Sequence, residues 1–149
     1  MDGDPLAELL ARYRERGDLL ALLKEVQTRF GGLGPDLLAA IAKALDLRVG
    51  DLYGTVSFYS FLARAPVGRH TLRLCQSVPC RLGQGDALRA AVERELQLKP
   101  GATTPDGRFT LQLTSCLGAC GQAPAMLVDE QRFAGLGDAE VAAVLAEFD

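Results

Sequence analysis

The four cysteines of this chain fall into two close pairs. Cys75 and Cys80 have four residues between them, Cys116 and Cys120 have three, and the 149-residue sequence contains no other cysteine. A chain that concentrates all its thiols in two tight pairs favours one site with four thiolate ligands. Because the pairs lie far apart in the sequence, the fold has to bring two distant segments together.

The spacing within each pair restricts the kind of site. Structural zinc most often uses C-x2-C pairs, and a thioredoxin-type redox centre needs C-x-x-C; neither spacing occurs here. Wider pairs suit a [2Fe–2S] cluster, in which each of two irons takes two thiolates. A Rieske cluster needs two histidines and is excluded, since His70 is the only one. A structural protein with a four-cysteine zinc site and a thiol–disulfide oxidoreductase remain alternatives.

Charge and hydropathy exclude other classes of protein. The net charge of −3 and the scattered basic residues indicate no nucleic-acid partner. No apolar run approaches the ~20 residues that span a bilayer, so we expect no direct membrane insertion. The N-terminus, Met1-Asp2-Gly3-Asp4, has neither the basic segment nor the apolar core of a signal peptide. We therefore expect a cytoplasmic protein whose cysteines are thiols or metal ligands.

Residues 1–65 are predicted to be helical. The first helix begins at Asp4-Pro5, the second at Asp18 and the third at Pro35, each followed by apolar residues at helical spacing. A fourth helix is expected from about Gly50 to Leu62. It is rich in aromatic residues, which predict a core or a docking surface: Tyr53, Phe58, Tyr59 and Phe61.

Residues 66–149 show a different periodicity and predict the order β-α-β-β-β-α. One short strand ends at Cys75, a helix capped by Asp86 follows to about Leu98, and a second strand ends at Cys116. A strand–helix–strand unit of this kind is a right-handed parallel crossover. Because the carboxyl ends of parallel strands share one edge of the sheet, we expect both cysteine pairs to meet at one tip. The chain as a whole is thus predicted to be α+β.

The loops around the cysteines suit an anionic centre. Neither loop between paired cysteines contains an acidic residue, and Arg81 is the nearest fixed positive charge. Gly118 and Gly121 would let backbone N–H groups approach sulfur, although both could also serve only as turn residues. Residues 82–86 contain two glycines before a helix but lack the third glycine of a dinucleotide fingerprint. We find no sequence motif for NADH or flavin.

Several segments together resemble the thioredoxin-like [2Fe–2S] ferredoxin family. The resemblance covers roughly residues 19–148 and is most specific at the sequence C-L-G-A-C of 116–120, with Ala123-Pro124 just beyond it and Thr103 to Leu111 before it. Gln27, Phe30-Gly31 and the run from Val56 to Phe61 are similar to the helical segment of this family. The family includes the small iron–sulfur subunit of NADH:quinone oxidoreductase and the equivalent subunits of NAD-linked formate dehydrogenases and hydrogenases.

The resemblance implies a function and its partners. It implies a thioredoxin-like domain at 66–149 that holds one [2Fe–2S] cluster on Cys75, Cys80, Cys116 and Cys120 and that has a cis peptide bond before Pro124. Residues 1–65 would dock on a flavoprotein subunit that binds FMN and NAD(H), with further iron–sulfur subunits in the complex. The chain would transfer electrons and carry no catalytic residue of its own. A soluble formate dehydrogenase or an NAD(P)-linked hydrogenase is the alternative setting to a quinone reductase.

Overall fold

The computed structural model describes residues 4–14 and 17–148 and divides the chain into two compact units, Met1–Pro66 and Val67–Asp149. The first unit is helical. Its helices are α1 (Pro5–Arg14), α2 (Leu19–Phe30), α3 (Pro35–Leu45) and α4 (Val49–Phe58).

The ends of these helices follow the signals in the sequence. Asp18 caps α2 by accepting a hydrogen bond from the Ala21 N–H, and Gly31 ends it in the left-handed conformation with φ of 77°. Pro35 occupies the first turn of α3, where its missing N–H is not needed. The helices bury one shared apolar cluster, which includes Leu9, Leu22, Leu23, Val26, Leu33, Leu38, Ile41, Leu52 and Val56.

Helix α4 is shorter than expected. It ends at Phe58, before the predicted end at Leu62, because Tyr59 adopts an extended backbone. A side chain of α2 organises the segment that follows: Gln27 Nε2 donates to the Phe61 carbonyl at 3.1 Å, and the Ala63 N–H donates to Gln27 Oε1 at 2.5 Å. One amide group thus satisfies a backbone acceptor and a backbone donor beyond the helix end.

The second unit contains a four-stranded mixed sheet and three α-helices within the part of the chain described. The elements are β1 (His70–Cys75), α5 (Val78–Leu82), α6 (Gly85–Leu96), β2 (Phe109–Thr114), β3 (Ala125–Val128), β4 (Gln131–Ala134) and α7 (Val141–Ala146). The strand order is β2-β1-β3-β4, with β1 and β2 parallel and β3 antiparallel to both of its neighbours. The α+β prediction and the parallel crossover are therefore confirmed.

Two details of the predicted crossover are wrong. Asp86 lies within the first turn of α6 and does not cap it; the capping position is held by Gln84, with φ of 68°. Residues 78–82, which were expected to be a loop, form helix α5 with Pro79 in its first turn. Proline fits there because its fixed φ matches the start of a helix.

The sheet packs one face against α6 and α7. Leucine, valine, methionine and phenylalanine side chains from β1, β2, β3 and both helices form this core, including Leu72, Leu74, Leu88, Val92, Phe109, Leu111, Met126, Val128, Val141 and Leu145. The parallel register places Leu72 beside Leu111 and Leu74 beside Leu113, so alternate residues of both strands reach the same core.

Polar residues secure the start of β1, at the opposite end of the strand from Cys75. His70 Nδ1 lies 2.7 Å from Asp129 Oδ2, and Asp129 Oδ1 accepts a hydrogen bond from the Thr71 N–H at 2.8 Å. The imidazole also contacts the rings of Phe109 and Phe148. His70 therefore has a structural position, as expected for a histidine that is not a ligand.

Arg108 joins the start of β2 to the end of α7. Its guanidinium donates hydrogen bonds to the carbonyl oxygens of Leu145 and Phe148 and lies over the Phe109 ring, 4.8 Å from the ring centroid. The last carbonyls of a helix lack partners within it, and a cation is favourable at that end of the helix dipole.

Among the described residues, none of the helices combines the length and the apolar character needed to cross a bilayer.

Gly85 allows the close contact between α5 and α6, and its replacement tests that contact. A Cβ at this position would lie 2.6 Å from the Cys80 carbonyl oxygen, which is a backbone atom with little freedom to move. We expect Gly85→Ala to lower the free energy of unfolding by about 1–3 kcal/mol, measured by chemical denaturation.

Gly121→Ala is the matched control, since Gly121 belongs to the same unit and a Cβ there meets nothing within 4 Å. It should change the free energy of unfolding by less than about 0.5 kcal/mol. Equal stability of the two variants would show that the contact at Gly85 is not restrictive.

Candidate metal centre

The parallel pairing of β1 and β2 brings the two halves of the cysteine set to one edge of the sheet. Cys75 is the last residue of β1 and lies beside Thr114, the last residue of β2. Cys116 follows two residues later. The expectation that a parallel crossover gathers the two pairs at one tip therefore agrees with the structure.

Each pair is in contact internally, and the two pairs interact. The Sγ atoms of Cys116 and Cys120 are 3.3 Å apart, and the thiols of Cys75 and Cys80 share a hydrogen bond. Across the pairs, Cys75 interacts electrostatically with Cys116, and Cys80 with Cys120. All four predicted ligands thus lie at one centre.

The first pair is built into the fold. Cys80 lies on the short helix α5 and is 1% exposed, and Cys75 is 7% exposed. Both pack with Ala119 and Ala125 in a small apolar cluster of their own. This half of the centre is therefore held by a strand, a helix and the side chains around them.

Two glycines that the sequence offered as a weak nucleotide motif have a packing role. A Cβ on Gly83 would lie 2.8 Å from the Ala123 Cβ, and a Cβ on Gly85 would meet the Cys80 carbonyl group. Glycine at both positions lets the chain pass closely around Cys80. The requirement for space around this ligand accounts for both glycines.

The second pair lies in a loop at the surface. Cys116 and Cys120 are both exposed, and Gly118 between them has φ of 75°. The Gly118 N–H donates to Cys116 Sγ at 3.3 Å, which confirms the prediction that this glycine turns a backbone donor toward sulfur. For Gly121, the equivalent role stays a prediction.

Ser77 is a residue of the site that the sequence reasoning missed. Its Oγ lies 3.0 Å from Cys75 Sγ. Ser77 precedes α5 at the capping position, yet its hydroxyl makes no capping hydrogen bond. The pattern of serine just before a proline-containing helical turn was the available indication of both the helix and the residue.

The surroundings separate the acidities of the two thiols in each pair. Burial raises the pKa of the Cys75 thiol, but hydrogen bonds from Ser77 and from the Leu117 backbone outweigh this and leave that pKa below its ordinary value. The Gly118 N–H lowers the pKa of Cys116. The pKa of Cys80 is raised, chiefly by burial and by its hydrogen bond with Cys75.

Cys120 follows the pattern of Cys80. Its hydrogen bond with Cys116 and its burial raise the pKa of the Cys120 thiol. In each pair, the first cysteine is therefore the stronger acid and the second holds the shared proton longer. Each pair behaves as one coupled acid whose first proton is released readily, which suits the binding of a metal by thiolate.

Positive charge lies beside the centre. A cavity of about 200 Å³ has Cys75 in its wall, and its other charged lining residues are Arg81, Asp86 and Arg89. Two guanidinium groups against one carboxylate leave this wall net positive. Together with the acid-free loops, it suits a site that carries anionic thiolates.

The donor set fits a two-iron cluster. The four thiols form two pairs, each in internal contact, and a [2Fe–2S] cluster takes two thiolates at each iron. Among the residues that the structure describes, no group of three or more cysteine, histidine, aspartate or glutamate side chains is placed to hold one metal ion.

Sequence relatives belong to two kinds of oxidoreductase. The chain is 43% identical over 121 residues to an NADH-quinone oxidoreductase subunit of Escherichia coli (strain K12), covering 81% of this chain and 73% of that one. It is 31% identical to the NADH-quinone oxidoreductase subunit of the same name in Aquifex aeolicus (strain VF5), covering 91% and 84%. It is 30% identical to the NADP-reducing hydrogenase subunit HndA of Solidesulfovibrio fructosivorans, covering 91% and 79%.

Solved structures agree with these relatives. An NAD+-reducing [NiFe]-hydrogenase in the air-oxidized state is similar with a TM-score of 0.64 and 25% identity over 95% of this chain, and the H2-reduced state gives 0.69 and 26% over 84%. This chain spans 22% of the matched chain in both. The family model for the thioredoxin-like [2Fe–2S] ferredoxin matches residues 6–149. The chain belongs to the thioredoxin-like [2Fe–2S] ferredoxin family.

Proposed function

We propose that the chain is an electron-transfer subunit of an NAD(H)-linked flavin and iron–sulfur oxidoreductase, of the NADH:quinone oxidoreductase type. Cys75, Cys80, Cys116 and Cys120 hold its one [2Fe–2S] cluster. The observation that carries the proposal is the meeting of two thiol pairs at one edge of the sheet, with one pair exposed. Family membership favours this cluster over the zinc and thiol–disulfide alternatives.

The chain's own residues would hold the cluster and adjust its surroundings. When bound, a [2Fe–2S] cluster accepts and donates single electrons without making or breaking bonds to a substrate. The four thiolates anchor it, the Gly118 N–H and the Ser77 hydroxyl are donors close to sulfur, and Ala119 and Ala125 exclude water on the buried side. Arg81 and Arg89 offset negative charge from the neighbouring cavity.

The electron partners would be other subunits. Relatives are named as subunits of an NADH-quinone oxidoreductase and of an NADP-reducing hydrogenase. We propose that FMN and NAD(H) are bound by a flavoprotein partner and that further iron–sulfur subunits complete the complex. A hydrogenase or an NAD-dependent formate dehydrogenase is the alternative setting. We propose a cytoplasmic location, because a reducing compartment keeps the ligand thiols reduced.

The edge that carries the centre has an apolar surface. Val78 is 69% exposed and Leu82 is 83% exposed, and both lie on α5, the helix that holds Cys80. They are four residues apart, so they share one side of this helix. Large apolar side chains beside an exposed thiol pair support an edge that a partner covers, which would also keep the distance for electron transfer short.

We propose that the helical segment 1–65 is the main docking surface. Four aromatic side chains of α4 and the residues after it are more than two-fifths exposed: Tyr53, Phe58, Tyr59 and Phe61. Phe58 and Tyr59 contact each other edge to face, and Arg64 donates a hydrogen bond to the Tyr53 hydroxyl. The Gln27 amide fixes the backbone between Phe61 and Ala63, so this aromatic surface is held in place before a partner arrives.

Replacement of each cysteine tests the ligand assignment. We expect Cys75→Ser, Cys80→Ser, Cys116→Ser and Cys120→Ser each to lose most of the bound iron and acid-labile sulfide, because the sequence contains no spare cysteine. Iron, sulfide and the visible spectrum are measured on anaerobically purified chain. Ser115→Ala, beside Cys116, is the matched control and should keep a full cluster. Normal cluster content in two or more of the serine variants would contradict the four-ligand assignment.

The Ser77 hydroxyl is expected to raise the reduction potential. Hydrogen bonds to cluster sulfurs favour the more negative, reduced state. One such bond is worth about 1 kcal/mol, which corresponds to about 40 mV for a one-electron couple. Ser77→Ala should therefore lower the potential by roughly that amount in protein-film voltammetry. Ser77→Thr keeps a hydroxyl and should stay near the parent value. An unchanged potential in Ser77→Ala would show that the hydroxyl does not act on the cluster.

The aromatic surface is tested by assembly with the flavoprotein. We expect Phe58→Ser combined with Phe61→Ser to weaken the association by about ten-fold or more, because buried aromatic side chains dominate interface free energies. Leu20→Ser, also at an exposed apolar residue of the helical unit, is the control and should bind normally. Affinity is measured by surface plasmon resonance, with cluster content determined for each variant. Undiminished binding of the double variant would contradict this docking surface.

Deletion of residues 1–65 is the larger form of this test. The remaining chain should fold and hold its cluster but no longer join the complex efficiently. An insoluble truncation would instead assign these helices a role in folding.

A further inference from the structure

The two thiol pairs differ in their access to solutes. Cys75 and Cys80 are 7% and 1% exposed, within the apolar cluster that includes Ala119 and Ala125. Cys116 and Cys120 are both exposed. A dissolved oxidant has to reach a sulfur atom to react with it, so only the second pair is open to direct attack.

The exposed pair is also close to the geometry of a disulfide. Its Sγ atoms are 3.3 Å apart, against ~2.05 Å in an S–S bond. The approach still needed is little more than 1 Å. The loop between the two cysteines has room for that movement, because Gly118 lies at its centre and a Cβ there would meet nothing within 4 Å.

We propose that Cys116 and Cys120 form a reversible oxidation site in the cluster-free chain, where a disulfide between them blocks cluster loading. The oxidant is a peroxide or a low-molecular-weight disulfide. The two thiols lose two electrons and two protons as the S–S bond forms; one hydrogen peroxide takes up both and gives two waters. A dithiol reductant reverses the step by thiol–disulfide exchange.

The consequence of this site is protection as well as inhibition. A disulfide at the exposed pair removes two of the four thiolates that the proposed function requires. The buried pair keeps its thiols, and a disulfide, unlike a sulfinic or sulfonic acid, returns to two thiols. An oxidised chain therefore waits for reduction and does not lose its ligands.

Trypsin separates the two pairs, which makes the selectivity measurable. Cleavage after arginine places Cys75 and Cys80 together in residues 74–81, and Cys116 and Cys120 together in residues 109–132. The full-length cluster-free chain is exposed to glutathione disulfide, quenched at intervals with an alkylating reagent, digested and analysed by mass spectrometry. A disulfide leaves its peptide unalkylated and two hydrogens lighter than the dithiol form.

We expect the 109–132 peptide to become oxidised at least about ten-fold faster than the 74–81 peptide, because access limits the reaction at the buried pair. In guanidinium chloride, where the fold is lost, the two rates should become similar. Equal rates in the native chain, faster oxidation of 74–81, or a disulfide that joins the two peptides would overturn the proposal.

Cluster loading provides the second readout. The chain with its 109–132 peptide oxidised should take up iron and sulfide only after treatment with dithiothreitol. Cys75→Ser, which keeps the exposed pair, should form the same disulfide at an unchanged rate. Loading at the full rate while the disulfide persists would overturn the block.

This inference rests on the proposed function, yet the two fail separately. Failure to load a cluster after full reduction would refute the proposed function, whereas the mass of the 109–132 peptide reports the oxidation site without any cluster. Normal loading with no selective disulfide would refute this inference alone.

Discussion

The parallel pairing of β1 with β2 is the constraint on which the redox centre depends. It places Leu72 beside Leu111 in the core and, three residues along β1, Cys75 beside Thr114 at the edge. A slip of one residue would turn the leucines out of the core and carry the cysteine to the other face. Burial of the core therefore selects the register that assembles the centre, and the ligands need no separate device to find each other.

The centre joins two kinds of structure. Cys75 and Cys80 are held by elements whose positions are fixed by packing, and Gly83 and Gly85 leave room for a close passage of the chain around them. Cys116 and Cys120 lie in a surface loop whose shape depends on a left-handed Gly118. One half of the site is thus shaped by the interior and the other by a few backbone torsions. The thiol pairs differ in access for this reason.

Much of this arrangement could be predicted from the sequence because strong local patterns coincide with it. Apolar periodicity located α2 and α3, and capping residues such as Asp18 and Gly31 marked their ends. The alternation around Cys75 and the expected parallel crossover correctly placed both pairs at one edge, and the cis peptide bond at Ala123–Pro124 is confirmed. These features depend on residues close together in the sequence or on a general rule of topology.

The parts that the sequence did not predict depend on tertiary contacts. Helix α5 has only five residues, so it shows no apolar period, and its stability comes from the burial of Cys80. The early end of α4 depends on Gln27, more than thirty residues away, whose amide replaces the helix as the partner of Phe61 and Ala63. No local pattern reveals that a distant side chain will satisfy those backbone groups.

The clamp formed by Arg108 gives the sheet a closed end. It ties the carbonyl of Phe148 to the start of β2, and the same phenylalanine contacts His70 at the start of β1. The cysteines lie at the other end of these strands, roughly 17 Å away along six residues. A fluorophore or an affinity tag attached after this phenylalanine would leave from the face remote from the thiols. Surface immobilisation through that point would present the centre outward, toward an electrode or a soluble partner.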